Sequence, residues 1–298
     1  MEALDLPEEP VRPEPAGGGT DRPRPREMPD PDERERAYDA AQARVSAETP
    51  TEAGAAQQRD KSGRSSYQDD VPRFLDMWAD HEKRWPTGSR APVDRPADPP
   101  GLDAAMAKTA GRIREVEPRI SADAQASERE NEHGGWLEGF KSRLKREDRL
   151  KEKISEQAEA EPGKSLDEIS CKIPDAIRFT FCFQSDTYTR GYYDIKERLE
   201  SRSYEMYYSK NWWTNPEYKG INTRWVAEDG QRFEVQFHTP DSFHAKHHVT
   251  HVAYERIRDQ ETSRSELREL HAFQREVSSF IRIPDGAAYI PDLKKEGF

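Results

Sequence analysis

The sequence is short of the residues that would tie it to a secreted scaffold or to a membrane. It holds only two cysteines, Cys171 and Cys182, eleven residues apart and in no CxxC pair. That argues against a disulfide framework and a thiolate zinc site, and fits a reducing compartment. Both are read as small, half-buried side chains. No stretch approaches the ~20 apolar residues of a membrane span, so no membrane partner is expected. The opening MEALDLPEEPVRPEP lacks the basic region and apolar core of a secretory signal. A cytoplasmic location is the resulting expectation, with delivery as an effector left open. No internal repeat is visible.

Apolar residues are scarce as well: 33% of the 298 residues are hydrophobic and 35% are charged, which is lean for a fully packed chain. The shortfall is concentrated at one end. Residues 1–105 hold 15 of the 22 prolines and 23 acidic against 15 basic side chains, and so carry −8 of the formal net −11. Such a composition cannot bury enough surface to offset the entropy of ordering, so 1–105 is expected to be a disordered leader. One island, VPRFLDMWADHEKRW, spaces Phe74, Met77, Trp78 and Trp85 near the helical period. It predicts a short amphipathic helix near 72–85, docked on the folded part or on a partner. An acidic chain also lacks the broad basic footprint of nucleic-acid binding, which leaves room only for a local basic pocket.

From about residue 106 to 298 the pattern becomes that of a folded domain. Two helical runs come first, the second of them WLEGFKSRLKREDRLKEKISEQAEA, expected to form one long helix ending before Pro162-Gly163. In DAIRFTFCFQ, Ile177, Phe179, Phe181 and Phe183 alternate with Arg178, Thr180 and Cys182, the period of a strand. A helix follows in TYTRGYYDIKERLESR. Strands are then expected in SYEMYYSK, INTRWVAE and QRFEVQFHT, the last two joined by a hairpin at Asp229-Gly230. Two helical runs close the chain before a proline-containing tail. This order describes an α+β domain.

Four stretches can carry chemistry. In the run from Lys141 to Lys153, helical spacing would put Arg143, Arg146, Arg149 and Lys153 near one side, with Lys145 a turn from Arg149. Such a row can grip a polyphosphate, or it can be a solvated charged face. Asp175 and Glu234 are candidate acids for metal-assisted phosphoryl transfer, which needs carboxylates to hold Mg²⁺ and a base for the attacking hydroxyl. In HAKHHVTH, His244, His247, His248 and His251 would share one helical face. Histidine pairs at that spacing can bind zinc, but the glutamate of the zincin pattern is missing, and an ordinary packed helix is the simpler reading. NPEYKGIN has a turn at Asn215-Pro216, a Gly220 that allows close backbone approach, and aromatic faces nearby in Trp212, Trp213 and Tyr218.

Taken in order, these motifs resemble the synthetase domain of the RelA/SpoT family, and its small stand-alone or toxin-type members more than the long bifunctional ones. The Arg-x-Lys opening is matched by Arg143 and Lys145, the two later positions by Arg149, where the family has serine, and by Lys153. An acid leading into an Arg-bearing strand is matched by Asp175 and Arg178, and the Glu-Val-Gln-x-x-Thr strand by Glu234, Val235, Gln236 and Thr239. His251 and Tyr254 match a His and a Tyr on the helix that follows. The resemblance spans roughly residues 139–258. It implies a nucleotidyltransferase-like mixed β-sheet flanked by helices, and a pyrophosphokinase that moves the β,γ-diphosphate of ATP to the 3′ hydroxyl of a nucleotide with Mg²⁺. The acceptor would be a guanine nucleotide, giving a ppGpp-like product, or an adenine nucleotide or tRNA 3′ end as in toxin-type members. By this resemblance Arg143, Lys145, Arg149, Lys153 and Arg178 bind ATP, while Asp175 and Glu234 are catalytic and hold the metal. Tyr218, Lys219, Asn222, Gln236 and His238 line the acceptor side. An antitoxin or immunity protein is an implied partner. The chain departs from the family in that the acid precedes the strand arginine by three positions rather than five, with Lys219-Gly220-Ile221 in place of Asn-Gly-Tyr and Trp225 in place of a histidine. Tyr218 or Trp213 would then supply the stacking face. The family's hydrolase module is absent from the sequence. A catalytically degenerate nucleotide-binding module and a histidine-based metal protein are the readings from other classes.

Overall fold

A computed structural model describes residues 66–86, 98–259 and 262–297. The leader expected over 1–105 therefore lies outside the described residues apart from 66–86 and 98–105. The remainder is an α+β domain built on one mixed sheet.

The alternation seen in the sequence forms that sheet. Strands β1 (Trp136–Leu137), β2 (Arg178–Cys182), β3 (Glu205–Asn211), β4 (Ile221–Val226), β5 (Arg232–His238) and β6 (Leu293–Lys294) lie in the order β1-β2-β5-β4-β3-β6. Only β2 and β5 run parallel, with Arg178 opposite Glu234, Thr180 opposite Gln236 and Cys182 opposite His238. The hairpin β4–β5 sets Asn222 opposite Gln236 and Arg224 opposite Glu234. Its turn uses Gly230 at φ +82°, a left-handed conformation that glycine adopts without a steric penalty.

Side chains alternate across a strand, so this register sorts them onto two faces. Phe179, Phe181, Ile221, Trp225, Phe233, Val235 and Phe237 are buried on one. It is covered by α2 (Leu102–Glu130) and α5 (Tyr188–Ser201), whose Tyr192 ring meets Phe237 edge-on at 4.9 Å. The opposite face carries Arg178, Thr180, Asn222, Arg224, Glu234, Gln236 and His238. A broken helical segment lies beside it: α6 (Pro240–His244), a π-helical turn (Ala245–Val249) and α7 (His251–Arg258). Cys182 is buried in β2, whereas Cys171 is exposed at the end of α4 (Leu166–Cys171).

Helix α1 (Tyr67–Arg84) packs against α8 (Arg264–Ser279) and the π-helical turn. Phe74 is fully buried, edge-on to Phe280 at 5.4 Å. The Tyr67 hydroxyl is 3.0 Å from His244 Nδ1, and Arg73 pairs with Glu276 at 2.8 Å.

The long helix expected over WLEGFKSRLKREDRLKEKISEQAEA does not form as one piece. After β1, Gly139 turns the chain at φ +63° into a short 3₁₀ turn, Phe140–Ser142. Residues 143–145 then pair with the segment leading into β2: Arg178 N donates to Arg143 O at 2.7 Å and Lys145 N to Ala176 O at 3.0 Å. Only α3 (Glu147–Ala160) is helical. Backbone pairing with the sheet outweighs the helix propensity of this lysine- and arginine-rich stretch.

Candidate active site

The site grows from the two parallel strands at the centre of the sheet. Glu234 stands opposite Arg178 on β2, and its backbone N–H donates to Ile177 O at 2.9 Å. Its carboxylate accepts from Gln236 Nε2, and Gln236 Oε1 accepts in turn from Lys246 Nζ on the π-helical turn. Asp175 sits immediately before β2, in the 3₁₀ turn Pro174–Ala176. Its Oδ2 pairs with Lys145 Nζ at 2.9 Å, both side chains being about four-fifths buried, while its Oδ1 is buried without a hydrogen-bond partner.

Charge is organised around that aspartate. Burial pushes its pKa up, but Lys145 first, then Lys153 and Arg178, more than offset this and hold the carboxyl below its usual range. The orphaned Oδ1 is a hard oxygen ligand with nothing to bind, and Glu234 is a second carboxylate one strand away. One or two carboxylates completed by phosphate oxygens and water are what Mg²⁺ takes, so these residues fit that ion. Among the described residues no group of three or more His, Cys, Asp or Glu side chains is placed to hold a metal.

The five cations expected to bind ATP do not form a row. Lys145, Lys153 and Arg178 gather around Asp175. Lys153 is half-buried on α3. Arg143 instead braces helix α2: it pairs with Glu117, bonds Ser121 Oγ at 3.0 Å and lies 4.6 Å from the centre of the Phe140 ring. Arg149 is exposed on α3, paired with Glu152 at 2.9 Å and with Glu255 at 3.7 Å. The break between β1 and α3 causes this separation, because it puts residues 143–145 on an extended segment and residues 149–153 on a helix.

On the acceptor side, Tyr218 donates to Asn222 Oδ1 at 2.9 Å and lies 3.1 Å from His238 Nε2, while His238 Nδ1 is 2.9 Å from Ser242 Oγ. Burial, then Lys246 and His247, depress the His238 pKa well below the histidine range, so the ring is neutral. Burial also raises Tyr218, with Glu234 adding to it. Lys219 is buried and donates to the carbonyls of Trp213 at 3.0 Å and Asn215 at 2.7 Å, which ties the loop to itself. Its pKa is lowered by burial to about 8. Trp213, expected as an alternative stacking face, is fully buried and edge-on to Tyr188 at 5.0 Å, so it cannot stack on a ligand. Ile221 and Trp225 are likewise core residues.

The four histidines do not share a ligand-binding face. The π-helical turn inserts an extra residue into their spacing, with Thr250 N reaching back to Ala245 O at 2.8 Å. His244 is held by Tyr67 and keeps, of the other histidines, only His248 beside it, at 5.0 Å between ring centres, while His247 packs on Phe243 at 4.3 Å and His251 is 3.7 Å from Glu255.

Lys246, in the middle of that run, is the residue that sequence reasoning passed over. Its amine lies 5.7 Å from the centre of the Tyr218 ring. Burial and then Arg178 lower its pKa to about 7, against a smaller opposing effect of Glu234. The available signal was position, an isolated lysine a few residues beyond a strand with a polar face, and it was masked by the surrounding histidines.

No family model matches the chain, and no curated protein does. Among solved structures, the chain is similar to the Type VI effector Tas1 in complex with its immunity protein, at 17% identity and a TM-score of 0.40, over 61% of this chain and 97% of that one. It is similar to small alarmone synthetase 1 from Bacillus subtilis bound to pppGpp, at 15% identity and 0.39, over 59% and 90%. A GTP pyrophosphokinase family protein from Streptococcus pneumoniae is similar at 12% identity and 0.38, over 60% and 88%.

Proposed function

We propose that the domain is an ATP-dependent pyrophosphokinase that transfers a diphosphate to the hydroxyl of a nucleotide or RNA acceptor. The observation that carries this reading is the pairing of Arg178, whose guanidinium makes no hydrogen bond or ion pair among the described residues, with Glu234 across two parallel strands, beside an aspartate that keeps one buried oxygen unbound. Lys145, Lys153 and Arg178 would hold the ATP phosphates and balance charge as the bond to the leaving AMP breaks. Asp175 and Glu234 would hold Mg²⁺, which supplies charge neutralisation between phosphate oxygens when bound. The acceptor oxygen forms a bond to the β-phosphorus, the bond from that phosphorus to the α,β-bridging oxygen breaks, and Glu234 takes the acceptor's proton. Tyr218, Asn222 and the Gln236–His238 end of β5 would line the acceptor. In this reading the protein works in a cytoplasm, its own or that of a recipient cell, and an antitoxin or immunity protein would be its partner if it acts as a toxin.

The test is incubation with γ-labelled ATP and Mg²⁺ against GDP, GTP, ADP, AMP and bulk tRNA. Label on at least one acceptor is expected, and lost in Glu234→Gln; no transfer to any of them, under conditions where an active pyrophosphokinase works, overturns the reading. One observation favours a second reading, a nucleotide-binding module without catalysis: two of the expected phosphate-binding cations, Arg143 and Arg149, are engaged in ion pairs. ATP binding without transfer is its signature.

A further inference from the structure

We infer that Lys246 is a positioning residue that acts through the Gln236 side-chain amide to orient the Glu234 carboxylate. The inference rests on the proposed pyrophosphokinase reading for its kinetic consequence, but its geometry stands independently. A glutamine amide presents an acceptor oxygen on one side and a donor NH₂ on the other. Here the oxygen receives Lys246 Nζ and the NH₂ is directed to Glu234 Oε1. The reversed amide would set NH₂ against the lysine amine and oxygen against the carboxylate, losing both contacts. Lys246 thus selects one amide orientation, and that orientation fixes a carboxylate oxygen of the proposed base.

The surroundings hold the lysine to this task. Gln236 is buried, so its amide has little recourse to water. The amine is flanked by the Tyr218 ring, and the charged and titratable groups that act on it are Arg178, Glu234 and Cys182 from the sheet. His238 and His247 feel its charge in turn. It projects from the π-helical turn, where the Ala245 carbonyl accepts both Thr250 N and Thr250 Oγ1. Such turns frequently occur at functional sites.

The test uses the full chain and compares wild type with Lys246→Met, which keeps length and removes the donor, and Lys246→Arg, which keeps the donor. With the acceptor the wild type uses, Lys246→Met is expected to lower kcat by about ten- to a hundredfold with KM for ATP within about twofold, and Lys246→Arg to recover part of the loss. In ¹⁵N-glutamine-labelled protein, the Gln236 side-chain NH₂ signals, assigned by their loss in Gln236→Leu, are expected to shift in Lys246→Met. A kcat within twofold of wild type, a rise in KM with kcat unchanged, or unmoved Gln236 signals would each overturn the inference. If the wild type transfers to no acceptor, the proposed function fails, and the NH₂ signals alone decide this inference: a shift supports it and none overturns it. Should Lys246→Met not fold, Lys246→Gln takes its place under the same criteria.

Discussion

Arg178 and Glu234 face one another across the parallel β2–β5 pair, yet no ion pair closes between them. The carboxylate is held by Gln236 instead, and among the described residues the guanidinium makes no side-chain hydrogen bond. An arginine and a glutamate this close, each left uncancelled by the other, form a polarised surface suited to a phosphate and a hydroxyl side by side.

Arg178→Ala is expected to cut diphosphate transfer by about a hundred- to a thousandfold, the scale seen when one transition-state donor is removed. Folding stability should move less than in Lys145→Ala, because among the described residues the guanidinium makes no hydrogen bond or ion pair and acts on Asp175 only through space. Labelled transfer read beside a thermal melt checks both halves. Arg178→Lys should recover only part of the activity, since an ammonium lacks the forked donors.

Lys145→Ala should destabilise the domain by about 2 kcal/mol, because it leaves the Asp175 carboxylate buried and short of its nearest cation. The sign of the pH dependence follows. In the wild type the Asp175 pKa is depressed, so its contribution is present above the ordinary aspartate value of 3.8 and is lost as pH falls through the lower folded value. In Lys145→Ala the burial effect gains weight, and mild acidification should narrow the stability gap. Urea midpoints between pH 3 and pH 7 measure it.

His247 predicts a steeper acid sensitivity. Burial, then Lys246 and Arg178, lower its pKa from 6.5 to about 3. The unfolded chain therefore binds a proton that the folded chain refuses, and this contribution to stability is full above pH 6.5 and lost as pH falls toward 3. His247→Phe, which keeps a ring against Phe243, should flatten the stability profile across that window.

Phe74→Ala should cost about 3–5 kcal/mol, the range for emptying a fully buried phenylalanine site. Side-chain partners of α1 lie on α6, α7, α8 and the Phe280 that follows α8. Truncating the chain before residue 98 should accordingly lower the melting temperature without raising kcat. A gain in kcat on truncation would show that α1 restrains the site instead.

The sheet was legible because its signals are local. Phe233, Val235 and Phe237 alternate with Arg232, Glu234 and Gln236 over the length of a strand, and Asp229-Gly230 marks the hairpin that sets the register. From that register the Arg224–Glu234 juxtaposition follows, whereas Arg178 meets Glu234 through the parallel β2–β5 pairing, which no local signal sets. The basic run was not legible in the same way. Arg143 to Lys153 has the composition of a helix, and what breaks it is a partner some thirty residues away, the Ala176–Arg178 backbone. Helical spacing therefore grouped Arg143 with Arg149, whereas the fold sends Arg143 to Glu117 and Lys145 to Asp175. Lys246 escaped notice for a related reason. Its significance comes from Gln236, ten residues away on the strand, and its neighbours suggested a metal.

The π-helical turn at Ala245–Val249 makes segment length a determinant in its own right. Deleting one residue there other than Lys246 would let the helix close in the ordinary α pattern with everything beyond it still in phase, because the wide turn holds one residue more than an α turn. Tyr254, within electrostatic reach of Tyr218, and Arg256, which bonds Trp85 O at 3.1 Å, would keep their places. The same deletion made one turn later, at the start of α7, has no wide turn to absorb it and should rotate both by about 100° about the axis, uncoupling the acceptor side from the N-terminal helix even though every side chain named in the site is retained.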